Sequence, residues 1–401
     1  MRTIEDLLPD PGRPDPAGLR ALKPAELARY ASGRQHAWWR RTACAEALAG
    51  RVPERRVPDL LARIRDPHET GEVRIALLDL LGDRTELLPW LRHEDRRENS
   101  SYGLWNAVLK ARGRQGDLTA ARELATLAFS PWPHHEATGA AGLAGLVERA
   151  GADAVLAELG DGRPEDRYFA VLTRHRAGQD VTDALADPDR SVAFRSHRLL
   201  TDPGRLRAYA AAAPTVEAAL QAAYALYGIT EDLAELRSLY ANLGSPRVEV
   251  AGLDEELRRA IVHEYGPQCQ AAADPRWRVE ALCAPAPEPV GQEGWLTRAT
   301  AALEAAGLAP SPPVHCGEDN GQGDGTYHVI RCGEEEIRIS TLGPFASGED
   351  DDCTARPALA AAGLRWIDGD TGSVRVADLH VYWFGTRAPL DVDTLLFYWQ
   401  D

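Results

Sequence analysis

Lysine and methionine are nearly missing from this chain of 401 residues, which has one methionine and two lysines, Lys23 and Lys110. The positive charge is therefore carried almost entirely by arginine, which is typical of a GC-rich genome and does not by itself indicate phosphate binding. Long apolar runs are missing too, since no segment approaches the roughly 18 residues of a membrane span. The first six residues also lack the charged-then-apolar plan of a secretion signal. We therefore expect no membrane partner and a cytoplasmic location.

Cysteine is sparse, and its positions do not have the spacing of a disulfide scaffold. A reduced, cytoplasmic compartment fits this pattern. His328 and Cys332 have a separation that zinc sites use, but they fall on a predicted strand, where alternation makes both of them core residues. We expect neither a metal nor a cofactor. The six cysteines are Cys44, Cys269, Cys283, Cys316, Cys332 and Cys353.

Negative charge is abundant and unevenly distributed. The formal net charge is −16, and residues 291–401 contain 18 acidic residues and 7 arginines, a net charge of −11. An acidic surface repels nucleic acid and anionic lipid over a Debye length, roughly 8–10 Å in ordinary salt. Nucleic acid binding is therefore not expected, and a protein partner, in particular a basic one, is favoured.

The chain divides into four segments by pattern. Residues 1–23 contain several prolines and read as an irregular N-terminal segment, whereas residues 24–283 show helical periodicity with short polar breaks. The proline-rich residues 284–292 cannot continue a helix and are interpreted as a linker. Residues 293–401 are interpreted as an acidic α+β domain.

Helix-start signals recur along the helical segment. Asp66-Pro67, Asp187-Pro188 and Asp274-Pro275 each precede an apolar run, and Asp can cap a helix whose first turn accepts Pro. A long helix at 37–48 is followed by a short one at 57–64, and the same order returns at 72–81 and 85–91. Such a recurrence predicts stacked helix pairs with a period of about 40 residues.

The run from Val73 to Leu77 (Val-Arg-Ile-Ala-Leu), preceded by Asp66 and followed by Leu80-Leu81-Gly82, resembles the first helix of a HEAT repeat. The resemblance covers about residues 36–285. It implies a mainly α fold, an armadillo/HEAT-like superhelix (an α solenoid), followed by the small α+β domain. Solenoids of this kind offer an extended concave surface for partners.

The last segment has its own pattern of elements. We predict a helix at 295–306, a hairpin of strands at 327–332 and 336–341 around Gly333, and a helix at 355–362. A short strand at 364–367, a longer central strand at 374–384 and a closing helix at 391–399 complete the prediction.

These features favour a non-catalytic protein-binding adaptor or inhibitor, comparable to an immunity protein. It would use the concave face of the solenoid together with the acidic C-terminal domain. A bacterial scaffold of this type is more consistent with the pattern than an enzyme. The candidate partner-binding residues are Trp38, Trp39, Arg40 and Arg41 in the first helix pair, and Glu349, Asp350, Asp351 and Asp352 in the acidic domain.

Two enzyme classes remain as alternatives. Some HEAT-like proteins are DNA glycosylases, which require a basic groove with aromatic residues, and here the N-terminal Trp and Arg residues would serve. Others hold two irons with His-Glu pairs at equivalent helix positions, and only His135-Glu136 resembles that setting. His135 and Glu136 are accordingly weak candidate metal ligands.

Overall fold

The structure is a computed structural model that describes residues 2–10, 12–93, 103–284, 292–385 and 389–400. Over these residues the protein is mainly α-helical, with a small sheet region near the C-terminus, as predicted. The chain divides into two compact units, Met1–Val181 and Thr182–Asp401. Of the predicted linker, residues 285–291 lie outside the described part of the chain.

The described part of the first unit is built from helices, with three 3-10 turns between them (Glu54–Arg56, Thr85–Leu87 and Leu118–Ala120). The helices predicted at 37–48, 57–64 and 72–81 are confirmed. The helices are α1 (Ile4–Leu7), α2 (Pro16–Ala21), α3 (Pro24–Ser32), α4 (Trp38–Ala47), α5 (Val57–Ile64), α6 (Gly71–Leu81), α7 (Leu88–His93), α8 (Leu104–Arg114), α9 (Ala121–Ala128), α10 (Pro133–Ala150), α11 (Ala152–Glu158) and α12 (Pro164–Arg176).

Neighbouring helices of the first unit pack in a regular order. Helix α3 packs on α4, α5 on α6, α7 on α8 and α9 on α10, while α4, α6, α8 and α10 each contact the next in that series. Helix α5 illustrates how these helices pack, because its buried residues Val57, Leu60, Leu61 and Ile64 form one apolar stripe. The approach of α8 to α10 depends on glycine, because a Cβ at Gly113 would lie 2.5 Å from the carbonyl oxygen of Gly142.

Buried arginines recur with a common contact. Arg41 Nε donates to the carbonyl of Ala31 at 3.0 Å, and Arg74 Nε donates to the carbonyl of Ile64 at 2.8 Å. Both acceptors lie ten residues earlier in the chain, in the last turn of the preceding helix, where carbonyls have no intrahelical partner. Arg41 lies in α4 and Arg74 lies in α6. The same contact therefore recurs after one pair of helices, the longer α4 and the shorter α5.

The second unit combines helices with short strands. Its helices are α13 (Arg190–His197), α14 (Pro203–Ala212), α15 (Val216–Thr230), α16 (Leu233–Asn242), α17 (Glu255–Tyr265), α18 (Pro275–Cys283), α19 (Gln292–Ala305), α20 (Cys316–Asp319), α21 (Ala355–Ala361), α22 (Gly369–Gly372) and α23 (Val392–Leu396). Its strands are β1 (Val314–His315), β2 (Asp324–Gly325), β3 (Tyr327–Cys332), β4 (Glu335–Ser340), β5 (Phe345–Gly348), β6 (Arg365–Trp366), β7 (Arg375–Val376), β8 (Leu390–Asp391) and β9 (Trp399–Gln400).

A five-stranded sheet has the order β1-β3-β4-β5-β6, antiparallel except for the parallel pair β5 and β6. The predicted hairpin is confirmed, with Ile330 opposite Ile337 in the β3–β4 register. Alternate residues of these strands face the core that α19 and α21 cover, which includes Ile339, Leu303 and Leu359. Two antiparallel pairs, β2 with β9 and β7 with β8, complete the strands of the described chain.

A second core of this unit joins segments on either side of residues 285–291. It contains Tyr265 and Trp277 from α17 and α18, together with Phe345, Val381 and Leu395. Tyr265 donates its hydroxyl to the carbonyl of Leu395 at 2.5 Å, and Trp277 Nε1 donates to the carbonyl of Ala377 at 3.2 Å. Helices α17 and α18 are therefore packed as one body with the C-terminal segments.

Two predicted elements near the C-terminus are wrong in part. The strand predicted at 374–384 is reduced to β7 and is followed by a 3-10 turn at Tyr382–Phe384. The carbonyls of Asp378 and His380 accept hydrogen bonds from the amides of Asp274 and Gln270 in the loop before α18, where Cys269 forms only an isolated β-bridge with Val381. The helix predicted at 391–399 ends at Leu396, because the next residues turn to pair β9 with β2.

Asp-Pro pairs do begin helices in this chain, but only one of the three predicted pairs supplies the N-cap itself. Asp274 caps α18 by accepting from the amide of Arg276, as expected. Helix α6 begins at Gly71 after an N-cap at Thr70, and α13 is capped by Asp189 rather than by Asp187. Two other Asp-Pro pairs, Asp15-Pro16 and Asp202-Pro203, cap α2 and α14.

Candidate functional site

A groove of about 380 Å³ runs between α4 and α6 of the first unit. Its floor is apolar, and Trp38 lies at its edge with 49% of its surface exposed. Such an exposed aromatic beside an apolar floor is typical of a protein contact site. The groove is lined by Trp38, Thr42, Ala45, Glu46, Ala49, Glu72, Ile75, Ala76, Asp79 and Leu80.

Helical periodicity explains why these side chains meet. Glu72, Ile75, Ala76 and Asp79 stand three or four residues apart and form one stripe of α6. The residues between them, such as Val73, Leu77 and Leu78, are buried in the core. Helix α6 therefore presents an apolar centre with carboxylates at its margins, beside a matching stripe of α4.

The rim of the groove is acidic. Glu46 and Glu72 are exposed and have no hydrogen-bond or ion-pair partner among the described residues, whereas Asp79 accepts from Lys110 Nζ at 2.7 Å. Two carboxylates without an ion-pair partner in the described chain, beside an apolar floor, favour a cationic group at this rim. The groove is thus suited to an apolar or aromatic anchor that is flanked by cations.

The four predicted residues of the first helix pair have different environments. Arg41 is 2% exposed and forms a bidentate ion pair with Glu69, with Nη1–Oε1 at 2.8 Å and Nη2–Oε2 at 2.5 Å. Arg40 donates from Nε to the carbonyl of Leu8 at 2.9 Å, and its guanidinium lies over the Trp39 ring at 4.7 Å. Arg41, a candidate partner-binding residue in the sequence, is thus buried in an internal ion pair, and only Trp38 of this set lines the groove.

Glu69 remains charged in this interior. Burial opposes ionisation, but hydrogen bonds from Arg41 and from the amide of Thr70 outweigh it and hold the pKa of Glu69 below its ordinary value. The buried pair thus fixes α4 against the turn that precedes α6.

The acidic run of the second unit is also divided in role. Asp351 accepts from the amide of Gly369 at 2.9 Å and from Trp366 Nε1 at 2.8 Å, and these two bonds lower its pKa. Glu349, Asp350 and Asp352 are exposed. Three of the four predicted carboxylates are therefore available at the surface, while Asp351 organises the loop.

His135 and Glu136 lie in the first turn of α10. His135 Nδ1 is 3.1 Å from Ser130 Oγ, and burial together with His134 lowers the pKa of His135. Across the described part of the chain, no group of three or more His, Cys, Asp or Glu side chains is arranged to hold a metal ion.

The sequence did not identify Glu46, Glu72 and Asp79 as site residues. The three-and-four spacing of acidic and apolar residues on α6 is the signal that would have found them, once α4 and α6 are known to be neighbours. No helix of the described residues is both long and apolar enough to cross a bilayer. Comparison of the chain with protein-family models, curated proteins and solved structures finds no match.

Proposed function

We propose that this chain is a non-catalytic protein-binding adaptor or inhibitor, comparable to an immunity protein, that holds a basic segment of a partner. The observation that carries the proposal is the groove between α4 and α6, which is lined by the exposed Trp38, by an apolar floor, and by Glu46 and Glu72, two carboxylates without a partner in the described part of the chain. Exposed Glu349, Asp350 and Asp352 supply a second acidic surface in the C-terminal region.

A HEAT-like solenoid is the fold that we propose for the helical region. The packing series α4, α6, α8 and α10 supports it, as do the equivalent contacts of Arg41 and Arg74 with carbonyls ten residues upstream. We further propose a cytoplasmic location, which is consistent with the free thiol state of the six cysteines.

Charge and shape together favour a basic partner. Truncation of a tryptophan that acts as a hot spot of an interface costs about 2 kcal/mol or more of binding free energy, whereas charges at the rim mainly set the association rate and its salt dependence. We therefore expect Trp38 to control the lifetime of the complex, and Glu46 and Glu72 to control its formation at low salt.

The test is capture of the partner from the native cells with a photo-reactive residue at Ala49, which lines the groove and is exposed. The crosslinked peptide is then sequenced. We expect a segment rich in Lys or Arg, whose yield falls at high salt and is lost in Trp38→Ala. Trp132→Ala is the matched control, because Trp132 is 57% exposed and lies outside the groove.

Two outcomes would overturn the proposal. One is a crosslinked segment without basic residues, and the other is a yield that Trp38→Ala and the double variant Glu46→Gln/Glu72→Gln leave unchanged. We expect each variant to retain the fold, because all three side chains are exposed. Circular dichroism of each variant checks this.

A further inference from the structure

A cleft of about 420 Å³ in the second unit is lined by four arginines and two glutamates, so that it is locally positive in an acidic chain. It lies among α16, α17, α18 and the loop between α16 and α17. We infer that this cleft binds the phosphate group of a small phosphate monoester. Its lining includes Arg237, Tyr240, Ser245, Arg247, Glu255, Arg258, Arg259, Val262, His263, Glu280, Ala281, Cys283 and Ala284.

The carboxylates of the cleft are already neutralised. Arg258 donates to both oxygens of Glu280, at 2.8 Å from Nε and 2.6 Å from Nη2, and Arg247 Nε lies 3.2 Å from the same carboxylate. Arg247 Nη1 is also 2.8 Å from Glu255. The two acidic residues are therefore paired with two of the four arginines.

The other two arginines of the cleft are not engaged by a carboxylate of the described residues. Arg237 on α16 and Arg259 on α17 are exposed, line the same cleft, and have no hydrogen-bond or ion-pair partner in the described ranges. Burial raises the pKa of Cys283 to about 11, so that this thiol adds no negative charge. A guanidinium offers a planar pair of donors that matches phosphate oxygens, so two arginines that have no partner among the described residues and line one cleft are suited to binding a phosphate group.

The frame of the cleft is rigid. Arg258 donates from Nη1 to the carbonyl of Val248 at 2.8 Å and packs over the ring of Trp277 at 4.7 Å, and Glu280 is only 4% exposed. Tyr240 is held by a hydrogen bond from its hydroxyl to the carbonyl of Pro246 at 3.1 Å. The walls of the cleft are therefore fixed before a ligand arrives, and binding has to order only the exposed side chains of Arg237 and Arg259.

The size and surroundings of the cleft favour a small molecule. Its volume lies within the range of about 300–1,000 Å³ that small-molecule sites occupy. Tyr240, Val262 and Ala281 give an apolar wall for the organic part of the ligand. A long polyanion would be repelled by a chain of net charge −16, whereas a monoester presents its charge only inside the cleft.

Isothermal titration of the full chain with three probes tests the inference: a nucleoside monophosphate, the matching nucleoside, and inorganic phosphate. We expect the monophosphate to bind, and both the nucleoside and inorganic phosphate to bind at least about tenfold more weakly. Arg237→Gln and Arg259→Gln should each weaken monophosphate binding by about tenfold. Arg176→Gln, which removes an exposed arginine of the first unit, should leave it unchanged.

Three results would overturn the inference. They are no binding of the monophosphate, binding that both cleft variants leave unchanged, and inorganic phosphate binding as tightly as the monophosphate, which would make the site one for the free ion. Thermal melting of each variant shows that loss of binding is not loss of fold, because Arg237 and Arg259 are exposed and stabilise no partner among the described residues.

Discussion

At the scale of single residues, arginine has two roles that the sequence alone does not separate. Arg41 and Arg258 are buried in bidentate carboxylate pairs, while Arg237 and Arg259 are exposed and unpaired within the described chain. Glu69 is 28 residues from Arg41, and Glu280 is 22 residues from Arg258. Because the partner that decides burial is distant in sequence, the local pattern does not distinguish the buried Arg41 from the exposed Trp38 near it.

Asp117 gives a pH-dependent prediction at this scale. Its carboxylate accepts hydrogen bonds from Arg92, Arg112 and Thr119, and these outweigh burial and lower its pKa from 3.8 to about 2. The stability that Asp117 contributes is thus complete above pH 4 and is lost as the pH falls toward about 2. This lowering of the Asp117 pKa corresponds to about 2 kcal/mol of folding free energy at neutral pH.

We therefore expect Asp117→Asn to reduce the free energy of unfolding by about 2 kcal/mol at neutral pH, and the gap to the natural chain to narrow below pH 4. Urea unfolding at a series of pH values measures this difference in unfolding free energy. Asp59→Asn, which removes an exposed i,i+3 pair with Arg56, should change stability by less than about 0.5 kcal/mol. A gap of the same size at every pH would contradict the assignment.

At the scale of elements, the sequence predicts what local pattern determines. The helix at Val57–Ile64 and the β3–β4 hairpin follow from periodicity and from Gly333, which adopts a positive φ of 67°. The strand prediction for residues 374–384 is wrong beyond β7. The backbone carbonyls there accept hydrogen bonds from residues about 100 positions earlier in the chain, around Gln270 and Asp274. Elements that bond to distant chain segments are not visible to a local pattern.

Close packing of α8 against α10 yields a prediction for two glycines. Gly113→Ala would place a methyl group 2.5 Å from the backbone of Gly142, so the helices must separate and stability should fall by about 1–3 kcal/mol. Gly228→Ala is the control, because Gly228 lies in helix α15 with no atom within 4 Å of the added methyl group. There the substitution should stabilise the protein by up to about 1 kcal/mol. Equal melting shifts for the two variants would contradict this packing.

At the scale of the whole molecule, the candidate sites depend on neighbours that only the fold supplies. Trp38 was identified from the sequence, but its acidic rim requires α6 to lie beside α4. The arginine-lined cleft requires three helices and a loop to converge, and Arg237 and Arg259 are the two of its arginines that have no partner among the described residues once Glu255 and Glu280 are paired. Net charge predicted an acidic molecule and therefore gave no sign of a local positive site.

The predicted domain bounds, 24–283 and 293–401, can be tested through the core that contains Tyr265 and Trp277. If that core needs Val381 and Leu395, a chain that ends at Ala284 exposes it. We expect this truncated chain to lose the protection of α17 and α18 against hydrogen exchange and to aggregate. Independent folding of the helical region would instead preserve their protection.

Charge removal without truncation is the matched control for this experiment. The triple variant Glu349→Gln/Asp350→Asn/Asp352→Asn neutralises the exposed carboxylates of the run but leaves Asp351 bonded to Trp366 and Gly369. Its exchange pattern should match that of the natural chain, because surface substitutions rarely change stability by more than about 0.5 kcal/mol. If the triple variant unfolds α17 and α18 as the truncation does, acidic charge rather than the shared core holds this unit together.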